Sequence, residues 1–422
     1  MSTAAEALEA PTAASETEAW RPSARGWAAR IAVYVLIFGG LLFVTASVKQ
    51  FWADRISLAA IYAIIGLSLN IVLGYVGQVS LGHHGFVGIA AFVSAYFATE
   101  KAGCTVDAGC NLGDFGIAVA LAALTGIVAA GLLGLVALRI KGLYLALITL
   151  AYGLMAENSI FEIDELTGSG GGMPAPRPEG FTTDRAFAYL TFIFLAAVLF
   201  IDWRLIRSKV GRAILSLKHS EPVASSYGIN VTAYKVLAFM VSGLFAGVAG
   251  ALFAFRSTTV VSNDFNFNVA LLWVLMVVIG GLGNRTGVVI GSAFFALFPF
   301  LIELIKPLEK FVIQDLERTP GMITIVVGAL LAVLTIIRFP GGIAEQVSPI
   351  TRWLRGQRFS IHPEGHGPHK EHAGGGLLKR LGLSKDGEKE ASESPTTTAT
   401  TDEKAADDKA AEEPVGAAKE AD

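Results

Sequence analysis

Apolar runs separated by short polar stretches repeat along most of this chain. A helix needs roughly 20 apolar residues to cross the hydrocarbon core of a bilayer. By this length criterion the pattern predicts about ten transmembrane helices, at residues 31–47, 56–74, 86–99, 116–138, 143–159, 187–201, 234–255, 269–283, 288–305 and 322–337. Several of these runs are short or interrupted by glycine. The expected fold class is an all-α polytopic integral membrane protein with glycine-broken segments.

The two ends of the chain differ in composition from the apolar middle. The stretch "GEKEASESPTTTATTDEKAADDKAAEEP" near the C-terminus has no bulky apolar residues. Such a segment cannot bury enough apolar surface to offset the entropy lost on ordering. We therefore expect a disordered N-terminal segment (1–30), a transmembrane domain (31–340) and a largely disordered C-terminal tail (341–422).

Composition and charge agree with a membrane protein. Only 16% of the 422 residues are charged, whereas soluble domains have about 25%. So low a share of charged residues gives no reason to expect a nucleic-acid partner. It indicates instead that membrane lipid surrounds the protein. Basic residues are commoner in one set of loops, including Arg204, Arg207 and Arg212. The positive-inside rule then predicts that both termini are cytoplasmic.

The only two cysteines, Cys104 and Cys110, lie in a short polar loop between two apolar runs. The predicted orientation places this loop outside the cell, where thiols can form a disulfide. The sequence leaves a bridged pair and two free thiols as equal alternatives.

The stretch "GYVGQVSLGHHGFVGIAAF", residues 74–92, places glycines and polar residues among apolar ones. A phosphate-binding loop would require Gly-Lys, which occurs nowhere in the chain. The adjacent His83 and His84 would point about 100° apart on a helix and could not easily share a metal ion. The remaining reading is a break inside a membrane bundle, where irregular backbone is tolerated if protein or a water-filled cavity surrounds it.

A later segment, "VVIGGLGNRTGVVIGSAFFALF", repeats the plan of an apolar run, a glycine turn and a second apolar run. In transporters, interrupted segments in corresponding positions often lie near the substrate site. Polar and glycine residues from these segments are thus candidates for the translocation path, with tight helix packing as the alternative. They are Asn70, Gly77, Gln78, Ser80, Gly82, His83, His84, Gly281 and Gly283.

The polar loop 204–232 predicts two short helices. Val210, Ile214 and Leu217 recur at helical spacing, and Glu221-Pro222 is suited to open a second helix. Gly228 fits the end of that helix. The loop could dock a partner protein or lie as an amphipathic segment on the lipid headgroups.

This loop resembles the permease subunits of branched-chain amino-acid ABC importers of the LivM type. The similar residues are Gly211-Arg212-Ala213, Glu221, Ala224, Gly228-Ile229-Asn230-Val231, Tyr234-Lys235 and Ala238-Phe239. "LSLNIVLGYVGQVSLGHHGF", "LTGSGGGMP" and "VVIGGLGNRTGVVIGSAF" also look like motifs of that family, so the resemblance spans about residues 56–340. Pro222-Val223 and Ser225-Ser226 depart from its commoner residues.

The resemblance implies the ABC importer permease fold in a bacterial plasma (inner) membrane. It also implies that Arg212, Glu221, Ala224 and Gly228 couple the chain to an ATPase. The implied partners are two ABC ATPase subunits, a second permease subunit (LivH type or a copy of this chain) and an extracytoplasmic substrate-binding protein. The chain itself would be no enzyme and bind no cofactor, because the partner subunits hydrolyse ATP.

The substrate implied is leucine, isoleucine or valine, and a permease for urea or short-chain amides is the alternative within the family. An ion-coupled secondary transporter would need charged residues inside its spans. The predicted spans are nearly free of them, with Glu157 and Glu303 towards the ends. A membrane enzyme would need convergent titratable residues, for which His83 and His84 are the only candidates.

Overall fold

The computed structural model describes Thr45 and residues 50–105, 109–137, 142–168, 171–304 and 342–354, and this part of the chain is mostly helical. Its helices are α1 (Gln50–Leu69), α2 (His83–Tyr96), α3 (Leu112–Ala137), α4 (Leu143–Met155), α5 (Asp164–Thr167), α6 (Asp184–Arg207), α7 (Lys209–His219), α8 (Glu221–Ser226), α9 (Val231–Ser257), α10 (Phe267–Gly280), α11 (Arg285–Leu304) and α12 (Ile343–Leu354). Wider helical turns extend α1, α2 and α4 over Asn70–Val76, Phe97–Lys101 and Ala156–Ile160.

Five helical segments in the described residues are long and apolar enough to cross a membrane: Gln50–Val76, Leu112–Val136, Leu143–Ile160, Asp184–Arg207 and Val231–Ser257. They correspond to five of the predicted spans. The predicted spans 269–283 and 288–305 correspond to the shorter apolar helices α10 and α11, and 86–99 falls in α2. The predicted span 322–337, most of 31–47, residues 1–30 and most of the tail lie outside the described residues.

The helix α9 packs closely against α2 and α3 through small residues. A Cβ atom on Gly126 of α3 would collide with the backbone of Gly243, and one on Gly247 would collide with the backbone of Ala122. Gly250 lies in the same way against the Val87 carbonyl of α2. Small residues let membrane helices approach until their backbones touch, and here they place α9 within the bundle.

One end of the bundle, called the disulfide end, joins the loops before α3 and α6. Cys104 and Cys110 form a disulfide, and the Cys110 N–H donates to the Arg177 carbonyl. Arg177 in turn donates to the Arg256 carbonyl, and Arg256 pairs with Asp54 at 2.6 Å. The short strands β1 (Met173–Pro174) and β2 (Thr259–Val260) pair antiparallel.

At the opposite end, α6 leads into the α7–α8 loop, residues 208–230. Ser208, Ser220 and Asn230 each accept a backbone N–H bond at the start of α7, α8 and α9. Gly228 adopts φ +76°, and its N–H donates to the Ser225 carbonyl beyond α8. The prediction of two short helices joined near Glu221 is therefore confirmed.

Candidate functional site

The break predicted around Gly77 is present: α1 ends at Val76, and residues 77–82 are not helical before α2 begins at His83. Gly77 adopts φ +78°, a left-handed conformation that glycine takes without strain. The Leu81 N–H donates to Thr149 Oγ1 at 2.9 Å, and a Cβ atom on Gly82 would collide with the Thr149 carbonyl. Residues 81 and 82 of the break are thus held against α4, as lipid requires of irregular backbone, whereas Gly77 and Val79 are exposed.

A buried chain of side-chain hydrogen bonds ties the break to two helices. Ser80 Oγ lies 3.0 Å from His83 Nδ1, and His83 Nε2 lies 2.9 Å from Ser242 Oγ in α9. Ser68 Oγ of α1 donates to the Ser242 carbonyl at 2.7 Å. All four residues are buried. These bonds hold α1, α2 and α9 together, which favours a packing role for Ser80 and His83.

His84 has different neighbours from His83. It is buried against Gly153 of α4, and its Nε2 lies 3.9 Å from the Glu157 carboxylate. Among the described residues no group of three or more His, Cys, Asp or Glu side chains is arranged to hold a metal ion.

The two glycine-rich segments noted in the sequence meet in the fold. Asn70 Oδ1, in the wide turn after α1, accepts the Gly283 N–H at 2.8 Å. Gly281 and Gly283 adopt positive φ in the turn between α10 and α11. A Cβ atom on Gly74 would collide with the Asn70 side chain and crowd the Gly283 nitrogen, so glycine at 74 makes the contact possible. Asn70 therefore joins the end of α1 to the later turn.

A buried ion pair lies beside this junction and was missed in the sequence. Asp202 of α6 is fully buried, and its Oδ2 lies 2.9 Å from Arg285 Nε at the start of α11. The Tyr75 hydroxyl donates to the same carboxylate at 3.2 Å. The sequence offered one signal for this pair: Asp202 is a charged residue placed directly after the predicted span 187–201.

The residues singled out in the α7–α8 loop have different environments. Glu221 pairs with Lys235 of α9, whose Nζ lies 2.5 Å from Glu221 Oε1 and whose side chain is 2% exposed. Arg212 is exposed and donates to the Arg207 carbonyl, and Gly228 is exposed. Ala224 is buried, whereas Val223 and Tyr227 of the same turn are 55% and 82% exposed.

Val223 and Tyr227 are therefore an exposed apolar and an exposed aromatic side chain of this loop, open to a partner protein. From the sequence, Val223 was named only as a departure from the family residues, and Tyr227 was not named. Exposed apolar and aromatic side chains gathered at one place often mark an interaction site. The signal available in the sequence was Val223 itself, one of the departures from the commoner family residues.

A cleft of about 480 Å³ separates the break from the α7–α8 loop. Gly77 and Gln78 line one side, and Lys218 and Glu221 line the other. A Cβ atom on Gly77 would lie 3.3 Å from Lys218 Cγ, so the two segments touch at the cleft's edge. The cleft thus brings two of the predicted path residues, Gly77 and Gln78, close to one of the predicted coupling residues, Glu221.

A protein-family match and a similar individual protein point to the same family. Residues 52–335 match the family described as branched-chain amino acid transport system, permease component. The chain is 30% identical over 332 residues to the high-affinity branched-chain amino acid transport system permease protein LivM of Salmonella typhimurium, an alignment covering 72% of each chain.

Two further relatives are more partial matches. LivM of Escherichia coli is 32% identical over 267 residues, which are 57% of this chain and 60% of the relative. The nucleoside ABC transporter permease protein NupC of Lactococcus lactis is 26% identical over 148 residues, 33% of this chain and 44% of the relative. No solved structure is significantly similar to the chain.

Proposed function

The chain belongs to the family of branched-chain amino acid transport permeases, and from this we propose that it is the membrane-spanning subunit of an ABC importer for leucine, isoleucine and valine. The observation that carries the proposal is the family match over residues 52–335, which includes the break, the α7–α8 loop and the late glycine turn. The family consists of transport components rather than enzymes. The role of the chain is therefore to form the substrate path across the membrane and to change the packing of its helices during transport.

The remaining parts of the importer are other proteins. We propose two ABC ATPase subunits, a second permease subunit of the LivH type or a copy of this chain, and an extracytoplasmic protein that delivers the amino acid. ATP is hydrolysed by the ATPase subunits, and no cofactor is bound here. The relatives named as branched-chain amino acid permeases support this division of labour.

We further propose that the α7–α8 loop faces the cytoplasm of a bacterium, with both termini on that side, and that the disulfide end faces outward. Two observations support this orientation. Basic residues surround the loop, including Arg204, Arg207 and Lys218, as expected of cytoplasmic segments. The Cys104–Cys110 disulfide lies at the other end, and disulfides persist mainly in oxidising compartments.

Coupling to the ATPase is proposed to run through the ion pair of Glu221 and Lys235. Exposed Arg212, Val223 and Tyr227 offer the contact surface, while Gly228 lets the chain turn from α8 towards α9. Because Lys235 is buried near the start of α9, a displacement of α8 is transmitted to a helix that packs against α2 and α3. ATP binding then favours one of two packings through contacts that differ between them.

The path candidates divide by their contacts. Asn70, Ser80 and His83 hold segments together, and Gly82, Gly281 and Gly283 allow the turns and close approaches that these bonds need. Gln78 and Gly77 line the cleft instead. We propose that Gln78 and the backbone near Gly77 meet the substrate and that the other candidates, His84 included, shape the path around it.

The test is uptake by the complete complex in proteoliposomes that contain ATP. Labelled leucine should accumulate when the delivery protein is present, and labelled urea should not. Omitting the ATPase subunits should abolish leucine uptake. Leucine uptake that persists without the ATPase subunits would contradict the proposal. Uptake of urea but not of leucine would show instead that the chain serves the alternative substrate class, urea and short-chain amides.

A further inference from the structure

A run of exposed basic residues begins near the end of α6. The chain has no acidic residue between Asp202 and Glu221. The basic residues of that stretch, all of them exposed, are Arg204, Arg207, Lys209, Arg212 and Lys218. Because α6 is long and apolar enough to cross a membrane, these cations follow directly on a candidate span. A cluster of about four to eight basic residues in such a position is typical of contact with anionic lipid.

One face of α6 changes from apolar to basic over its last two turns. Phe200, Trp203, Arg204 and Arg207 have the spacing of residues that share a helix face. The Phe200 ring is 61% exposed and stacks on Trp203, with ring centres 6.0 Å apart. The Arg207 guanidinium lies 4.4 Å from the centre of the Trp203 ring. Since tryptophan favours the boundary between hydrocarbon and headgroups, this face passes from acyl-chain depth to headgroup depth.

The cations at this place have no acidic partner. None of Arg204, Arg207 and Lys209 forms an ion pair with a residue that the structure describes. Arg204 and Arg207 are three positions apart in one helix, where like charges repel each other. Lys209 is in the first turn of α7, which has no acidic residue, and a cation at the positive end of a helix is unfavourable. An external anion would relieve both repulsions.

The corner between α6 and α7 is tightly built. The Gly211 N–H donates to Ser208 Oγ at 3.1 Å, and a Cβ atom on Gly211 would collide with the Leu205 carbonyl. The first turn of α7 therefore touches the last turn of α6. Arg212 donates to the Arg207 carbonyl at 3.1 Å, so it lies between this corner and the surface proposed for the ATPase. A ligand held at the corner would fix the base of the α7–α8 loop.

We propose that Arg204, Arg207 and Lys209, called the basic corner, bind the phosphate of an anionic phospholipid. Guanidinium groups suit this ligand because they form paired hydrogen bonds with phosphate. The acyl chains of the lipid pack along Phe200 and Trp203, an apolar contact that neither a free phosphate ion nor an acidic protein surface would use. The bound lipid holds the base of the α7–α8 loop at the membrane surface while α8 moves. This inference goes beyond the proposed function, because it concerns neither the amino acid nor ATP.

Fluorescence quenching tests the site in the complete complex, reconstituted in nanodiscs of phosphatidylcholine with cysteine-free partner subunits. The two cysteines of this chain are joined to each other, so Ile201→Cys, at a position that is 41% exposed, supplies one thiol for a fluorophore. Phosphatidylglycerol that carries a nitroxide near its headgroup should quench this fluorophore at a lower lipid fraction than nitroxide-labelled phosphatidylcholine. Inorganic phosphate in the buffer should not reverse the quenching.

Variants identify the cations that hold the lipid. Arg204→Gln with Arg207→Gln should raise the phosphatidylglycerol fraction for half quenching by at least about tenfold. Arg204→Lys with Arg207→Lys keeps the charge but not the paired geometry, so it should weaken binding less, and it replaces the glutamine pair if that variant does not assemble. Arg185→Gln with Lys101→Gln removes two exposed cations elsewhere and is the matched control, with quenching unchanged.

Three results would overturn the site. They are equal quenching by the two labelled lipids, reversal by inorganic phosphate, and equal weakening in the matched control. Quenching that is unchanged in the glutamine variant, with loss of the ATPase subunits from the complex, would also overturn it and assign the basic corner to the protein partner. Leucine uptake by the same preparations tests the proposed function separately, because lipid binding requires no transport.

Discussion

At the scale of single residues, two ion pairs, each with one buried partner, hold the end of the bundle that carries the α7–α8 loop. Glu221 pairs with Lys235, and Asp202 pairs with Arg285. Each joins residues from different helices. Removing one partner of a buried pair leaves an uncompensated charge, whereas replacing both partners with apolar residues is often neutral.

The Asp202 pair is predicted to act on stability. Asp202→Ala should destabilise the protein by about 3–5 kcal/mol, because Arg285 and the Tyr75 hydroxyl would lose their shared acceptor. The double variant Asp202→Leu, Arg285→Met should recover most of the loss. Thermal unfolding in detergent measures both, with exposed Glu162→Ala as the control. Equal losses in single and double variants would contradict the prediction.

The Glu221 pair is predicted to couple ATP hydrolysis to transport. Glu221→Gln and Lys235→Met should each reduce ATP-driven leucine uptake by at least about tenfold, because a movement of α8 would no longer be transmitted to α9. The exchanged pair, Glu221→Lys with Lys235→Glu, should restore part of the uptake. Exposed Ser226→Ala is the matched control. Uptake unchanged in both single variants would contradict the role of this pair.

At the scale of elements, the bundle depends on glycines where helices touch. Gly126→Ala should destabilise the α3–α9 contact by about 1–3 kcal/mol, because the added methyl group meets the Gly243 backbone. Gly116→Ala, in the same helix with open space around it, is the matched control. Unfolding temperatures of the two variants check this, and equal values would contradict the packing described here.

How far the sequence predicted these elements depends on the range of the interactions. The caps Ser208, Ser220 and Asn230 act on nearby residues, and local chemistry was enough to predict α7 and α8. The break before α2 was predictable because glycine and polar residues are unusual within an apolar run. Local pattern therefore gives the elements and their ends.

The contacts between elements were not predictable in the same way. Asn70 meets Gly283 across 213 positions, and Ser68 meets Ser242 across 174. From the sequence, Lys235 was noted only as one of the residues that resemble the family, and its buried pairing with Glu221 appears only in the folded protein. Such pairings are set by packing between distant segments, for which a single sequence carries no periodic signal.

At the scale of the whole molecule, the orientation in the membrane decides whether the two ends can do what is proposed. The Cys104–Cys110 disulfide lies at one end and the α7–α8 loop at the other. A membrane-impermeant reductant followed by an impermeant maleimide should label the cysteines of intact cells from outside. Labelling only after the inner face is opened would reverse the orientation. Cys104→Ser with Cys110→Ser is the control for background.

The central claim is that the α7–α8 loop receives force from a separate ATPase, and the most direct measurement is a cross-link from that loop. Tyr227→Cys, 82% exposed and the only free thiol in such a chain, would carry a short photoactivatable cross-linker in the assembled complex. We expect a cross-linked product with the ATPase subunit whose yield changes when ATP is added. A loop that cross-links only to lipid, with the complex intact and transporting leucine, would contradict the account.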